Sequence, residues 1–173
     1  IDFLNPQNNT FTVTNQLYVK AEKSRIPDVV VYINGIPVVV IEAKSPINAK
    51  DKTGEAFDQI KQYERDIPRL FFSNCFNILT DGTNCLYGTT GSPSKFYGSW
   101  GDPWPRLKGD FSNELDKGLW SLLEPSRLLD LIAHFIVFEQ AEVGKIKKIC
   151  RYQQFRAVNK IVNRVVEGKH RKG

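Results

Sequence analysis

The dipeptide Asn34-Gly35, set between two apolar runs, constrains this chain more than any other feature. Both residue types accept positive φ, so the pair favours a tight reversal between strands over 28–32 and 36–43. The second run, Ile36-Pro37-Val38-Val39-Val40-Ile41, lacks polar alternation and reads as a strand buried on both faces. It ends in Glu42-Ala43-Lys44, while the first strand opens with Pro27-Asp28. Register decides what these end residues can do together. A two-residue type I′ turn pairs Ile33 with Ile36 and sets Asp28 opposite Ile41, leaving Glu42 and Lys44 on the other face. A three-residue loop, Ile33-Asn34-Gly35 with Gly35 left-handed in a G1 bulge, pairs Tyr32 with Ile36 and returns Asp28 to the face of Glu42 and Lys44. That loop, or an equivalent bulge, is expected if the three residues act as a unit.

Two carboxylates and a lysine at strand ends suit a hard cation beside a phosphodiester. Mg²⁺ prefers oxygen ligands, keeps several waters, and needs only one or two carboxylates besides substrate phosphate oxygens. Asp28 and Glu42 would be those ligands. Lys44, two residues beyond Glu42 and so on the same face, would orient or activate the attacking water and offset charge developing on the phosphate. The plainer reading is a hairpin whose end residues are merely solvated. The segment over 55–65 places Ala56, Phe57, Ile60 and Tyr63 at helical spacing, with Gln59 and Tyr63 one turn apart on one face. Their amide and hydroxyl can reach a DNA phosphate or the water shell of a cation, or can be a polar residue beside a half-buried core tyrosine.

Pro27-Asp28, Glu42-Ala43-Lys44 and Gln59-x-x-x-Tyr63 resemble the nuclease motifs of the PD-(D/E)xK superfamily, in the branch with a Q-x-x-x-Y helix. More specifically, the chain resembles the amino-terminal endonuclease region of the motor (R) subunit of type I restriction enzymes. The match includes Thr14-Asn15-Gln16, Asn34-Gly35-Ile36-Pro37, the stretch from Gln59 through Pro68, Thr80-Asp81-Gly82 and the distal run Tyr152-Gln153-Gln154-Phe155-Arg156-Ala157-Val158-Asn159. The resemblance implies an α/β fold, a restriction-endonuclease-like mixed β-sheet flanked by helices, with a C-terminal helical extension. It implies Mg²⁺ ligation by Asp28 and Glu42, catalysis by Lys44, and support from Gln59 and Tyr63. It further implies double-stranded DNA as substrate, methyltransferase and specificity subunits as partners, and an ATP-driven motor downstream. An acidic residue that some members carry on a helix before the Pro-Asp strand is not identified here.

Composition is that of one globular domain: 173 residues, 41% hydrophobic and 25% charged. Ile1 in first place and the lack of any methionine point to a piece of a longer chain. No signal peptide or membrane span is evident, and Cys75, Cys85 and Cys150 lack paired zinc spacing, so reduced thiols in a cytoplasm are expected. His134 and His170 stand alone, which disfavours a histidine metal site or a hydrolytic triad. The absence of a Gly-x-x-x-x-Gly-Lys-Ser/Thr loop excludes ATP hydrolysis by this segment. The net charge of +5 is concentrated in Lys145, Lys147, Lys148, Arg151, Arg156, Lys160, Arg164, Lys169, Arg171 and Lys172, which read as a solvated helix face or a phosphate-tracking surface.

Further strands are expected over 11–19, 76–79 and 85–88, the last two around Asp81-Gly82, and a long loop over 88–110 in which Trp100 and Trp104 either anchor to the core or stack on bases. Helical patterning resumes at Ser126, with Leu128, Leu129, Leu131, Ile132 and Phe135 on one helix and an apolar stripe of Tyr152, Phe155, Val158, Val162 and Val165 on another. The organisation read from this is a nuclease domain over 1–143 and a basic connector helix over 144–173 leading to a motor. The function read is Mg²⁺-dependent DNA hydrolysis with target recognition elsewhere. The alternatives are a non-catalytic DNA-binding or docking domain of the same fold, and a repair-type nuclease with the same core.

Overall fold

A computed structural model describes residues 1–45, 52–142 and 144–168. Six strands form one sheet in sequential order: β1 (Phe11–Asn15), β2 (Val29–Ile33), β3 (Ile36–Ala43), β4 (Phe76–Thr80), β5 (Cys85–Gly88) and β6 (Gly98–Ser99). Only β3 and β4 run parallel, and the helix α1 (Thr53–Asp66) makes their crossover. Helices α2 (Glu114–Leu123) and α3 (Pro125–His134), a separate hairpin of β7 (Ile136–Ala141) and β8 (Gly144–Ile149), and the helix α4 (Tyr152–Val166) complete the chain. The expected mixed sheet flanked by helices is therefore what forms.

Each sheet face has its own core. Val30, Val40 and Leu79 pack with Ala56, Ile60 and Tyr63 of α1. Val31, Ile33, Val39, Ile41, Ile78 and Tyr87 pack on the other face with Leu122 of α2, Leu128 and Leu131 of α3, and Phe155 of α4. Burial on both faces explains why β3 reads as an unbroken apolar run rather than an alternating one, and β4 is likewise buried along its length, with Asn77 and Thr80 among its buried residues.

The hairpin solves the register problem differently from the expected three-residue loop. Asn34 and Gly35 both have positive φ, 53° and 78°, and Ile33 pairs with Ile36, so the turn is the two-residue kind. Tyr32 then pairs with Pro37 but Val31 pairs with Val39, which leaves Val38 as an extra residue in β3. The bulge turns Val38 and Val39 into the same core, and each is almost wholly buried. Beyond it Val29 faces Ile41, so Asp28 falls opposite Glu42.

Other boundaries differ from the sequence expectation. β1 ends at Asn15 rather than 19, because Gln16 adopts a left-handed conformation (φ 50°) that breaks the strand; beyond it the backbones of Gln16 and Leu17 still donate to the Asp28 and Pro27 carbonyls, and Val19 bridges to Arg25. The loop over 88–110 contains the edge strand β6, and Trp100 is a core residue, 1% exposed, whose indole donates to the Asp102 carbonyl (2.8 Å). The helix α2 lies where the sequence pattern gives no helix. Its Gly118 weakens the helical pattern, yet a Cβ there would lie 2.7 Å from the Cys85 Sγ, so the glycine permits close packing on β5.

The segment over 144–173 is not simply a connector helix. Its first part is the strand β8, which pairs with β7 and is tied to the chain just after β5 through the Thr89 hydroxyl, which donates to the Lys147 carbonyl (2.7 Å). α4 is anchored at its start by Phe155 against Trp100 and Phe135. The stripe beyond that anchor is not core: Val158, Val162 and Val165 are all exposed. Lys169, His170, Arg171 and Lys172 lie outside the described residues.

Candidate active site

The end of β3 meets the start of β2 and the α1 face of the sheet. Alternation carries Glu42 to the same face as Val40, beside α1, and that position buries it to 2% exposure. Lys44 follows on the same face. Its backbone is held by donation to the Thr80 carbonyl (2.8 Å), which extends the parallel ladder past Ala43, and its Nζ donates to Glu42 Oε1 at 2.6 Å. Three residues named from sequence, Asp28, Glu42 and Lys44, are thus gathered at one sheet end.

Asp28 is tied at both oxygens. Oδ2 accepts from the backbone N–H of Ala43 (2.9 Å), and Oδ1 accepts from the side-chain amide of Gln16 (2.9 Å). The Ala43 N–H points toward β2 just where β2 has no carbonyl for it, because the Pro27 and Asp28 carbonyls are taken by Leu17 and Gln16. The Asp28 side chain completes the ladder instead.

α1 supplies the wall. The Tyr63 hydroxyl donates to the Ile26 carbonyl (3.2 Å), and Arg25 pairs with Asp66, with Nε to Oδ2 at 2.8 Å. Both contacts clamp the stretch that leads into Asp28 onto the helix. Burial, followed by the nearby Glu42 and Asp28 carboxylates, pushes the Tyr63 hydroxyl well above the usual tyrosine range, while Gln59 opposes the shift. Tyr63 is therefore a neutral donor beside the acids. Gln59 is half-buried, and its amide donates to Gln62 (3.3 Å).

The electrostatics single out Glu42. Burial raises its pKa above the usual carboxylate value, Lys44 opposes this, and Asp28 adds to it. Glu42 Oε2 is buried with no hydrogen-bond partner among the described residues. Orphaned carboxylate oxygens are costly, and a second carboxylate nearby makes matters worse. A hard cation would satisfy both. No group of three or more His, Cys, Asp and Glu side chains gathers into a metal cage among the described residues. An all-oxygen pair with one unsatisfied buried atom fits Mg²⁺, which retains waters and shares substrate oxygens, better than it fits a closed zinc site.

Sequence reasoning missed two contributors: Gln16, quoted only as part of a motif, and the Ala43 N–H. The signal for Gln16 is the long polar side chain at the end of a strand that pairs with the Asp28 strand; nothing local announces the backbone group. Four of the seven described residues of the basic cluster bond within the chain. Lys147 caps the Asn74 carbonyl, Lys148 pairs with Glu139, Arg151 donates to the Phe96 carbonyl (2.9 Å) and Arg156 pairs with Asp102. Asn74 precedes β4, so Lys147 lies at the other end of that strand from Thr80 and the acids. No helix among the described residues is long and apolar enough to cross a membrane.

Residues 1–96 match the family described as type I restriction enzyme R protein N terminus. The chain is 35% identical over 179 aligned positions to the type I restriction enzyme HindI endonuclease subunit of Haemophilus influenzae, covering 100% of this chain and 17% of that protein. It is 36% identical over 166 positions to the putative MjaVIIIP endonuclease subunit of Methanocaldococcus jannaschii, covering 95% and 16%. With the SauCOLORF180P endonuclease subunit of Staphylococcus aureus the identity is 27% over 160 positions, covering 92% and 17%. The chain thus spans about a sixth of the length of the curated relatives it matches.

Proposed function

The chain belongs to the type I restriction enzyme R protein N-terminus family, and on that premise we propose that it is a DNA endonuclease domain that hydrolyses phosphodiesters with Mg²⁺ at Asp28, Glu42 and Lys44. The observation that carries this reading is Glu42: a buried carboxylate with one oxygen on Lys44 Nζ at 2.6 Å and the other unpartnered, next to Asp28. Such an arrangement costs stability, and a domain that only docked would have no use for it.

Asp28 and Glu42 would hold the ion. When bound, Mg²⁺ supplies charge neutralisation at the phosphate and a more acidic water. The remaining work belongs to the chain. Lys44 keeps a fixed positive charge beside Glu42, where it can offset negative charge building on the phosphate oxygens as water attacks and the leaving oxygen departs. Gln59 and Tyr63 position substrate, and Tyr63 also holds the Ile26 to Asp28 approach through its hydroxyl. The sheet end is rigid because the β3 and β4 backbones are paired up to Lys44 and Thr80. In this reading the domain works in a larger subunit that assembles with methyltransferase and specificity subunits on double-stranded DNA, and ATP is consumed by motor domains rather than here.

The test is Asp28→Ala, Glu42→Ala and Lys44→Ala in the full-length subunit within its complex, with DNA cleavage and ATP hydrolysis measured side by side. Cleavage should vanish while ATP hydrolysis continues. Retained cleavage by all three variants overturns the assignment.

A further inference from the structure

We infer that Gln16 is a positioning residue for the metal site, aiming the Asp28 carboxylate by gripping Oδ1; the inference rests on the proposed roles of Asp28 and Glu42. Gln16 touches Asp28 twice: its backbone N–H donates to the Asp28 carbonyl (2.8 Å) and its side-chain amide donates to Oδ1 (2.9 Å). Ala43 holds Oδ2. With a donor on each oxygen, Gln16 and Ala43 together set the turn of the carboxylate about its last bond, on a residue whose register places it opposite Glu42.

Chemistry explains why an amide serves here. A lysine or arginine at this position would neutralise Asp28 and compete with a cation, whereas an amide donates without a full charge. The backbone is committed to the same end. A φ of 50° is unusual for a residue other than glycine, and here it ends β1 and turns the side chain of Gln16 back onto β2. Gln16 is otherwise exposed and adds nothing to either core. Its contact with Asp28 is therefore expected to matter for carboxylate geometry and little for folding.

Gln16→Gly removes the side chain and suits the left-handed backbone, so it should fold as the parent does; Gln16→Asn also tolerates that backbone but falls one methylene short of Oδ1. Each would be made in the full-length subunit, with Asp28→Ala as reference. Three quantities are read: Mn²⁺ affinity by electron paramagnetic resonance without DNA, thermal unfolding in chelator, and cleavage against Mg²⁺ concentration. Both Gln16 variants should bind Mn²⁺ about tenfold or more weakly, unfold within a degree or two of the parent, and recover most cleavage at high Mg²⁺. Parental Mn²⁺ affinity in both, with Asp28→Ala impaired, overturns the role of Gln16 alone. A lowered unfolding temperature with unchanged Mn²⁺ affinity does the same, because it makes the contact a staple of the strand end. Parental Mn²⁺ affinity in Asp28→Ala overturns the metal-site reading, and this inference with it.

Discussion

On the α1 face of the sheet the charge buried at the end of the core is Glu42; on the opposite face Arg127 is buried to 7% exposure. Arg127 Nε donates to the Ser121 carbonyl (2.9 Å) and Nη1 to the Trp104 carbonyl (2.8 Å), and its guanidinium lies 4.7 Å from the Trp120 ring centre and 4.6 Å from that of Phe155. Each group has an orphan atom, Nη2 on Arg127 and Oε2 on Glu42. The orphans differ in what surrounds them. A guanidinium over aromatic rings meets their negative faces, which offsets part of its desolvation. A carboxylate oxygen beside Asp28 meets more negative charge. Arg127 is thus compensated within the chain and locks α2, α3, α4 and the Trp100 loop together, whereas Glu42 is compensated only in part, by Lys44 and more weakly by the Tyr63 hydroxyl, and its pKa stays raised. The difference separates a stability centre from a site that needs something from outside.

The largest effects on cleavage are expected at Glu42 and Lys44. Glu42→Ala or Lys44→Ala should lower DNA cleavage about a hundredfold to a thousandfold. Metal-free unfolding temperature should not fall in Glu42→Gln, since the desolvated charge is gone. A large loss of stability there would mean that Glu42 belongs with Arg127 as a structural ion.

Arg127→Ala should do the converse. The Ser121 and Trp104 carbonyls lose their donor and the rings of Trp120 and Phe155 lose the guanidinium packed against them, so urea denaturation should show a loss of about 3 kcal/mol. Cleavage per folded molecule should stay within a few fold of the parent, and a specific loss would tie the far face to the chemistry.

Tyr63→Phe and Gln59→Ala probe the boundary between the two kinds of region. Tyr63 is core and site at once, 4% exposed yet donating to Ile26. Cleavage should fall by roughly tenfold to a hundredfold through substrate positioning, with Mn²⁺ affinity little changed. Normal cleavage in both variants would return the pair to packing alone.

The smallest effect is expected at Gly118→Ala. The added methyl meets Cys85 Cβ and Sγ at 2.7 Å, while alanine favours the helix, so the net loss should be about 1 kcal/mol. Melting curves would register it, and cleavage should not change.

Much of this molecule is local in origin and so can be read from residues alone. Asn34-Gly35 makes its turn because both residues tolerate positive φ, the valine runs flank it because β-branched side chains suit a pleated surface, and Ala56, Ile60 and Tyr63 define the buried side of α1 by spacing. The chemical types at Asp28, Glu42 and Lys44 were equally plain. Whether they share a face was not. An unbroken valine run has no alternation to specify register, and only the choice of the far-face core to take in both Val38 and Val39 creates the bulge that sets Asp28 opposite Glu42. The same holds for α2, whose Gly118 makes sense only against Cys85, and for β8, whose alternating residues resembled a basic helix until β7 paired with them. Gln16 reaches Asp28 across a separation of 12 residues, a contact that exists only because β1 and β2 pair and β1 ends in a left-handed turn. Local geometry depends on a few adjacent dihedrals, which sequence encodes directly; register, bulges and cross-strand contacts depend on which surfaces the whole chain buries, and the tertiary structure decides those.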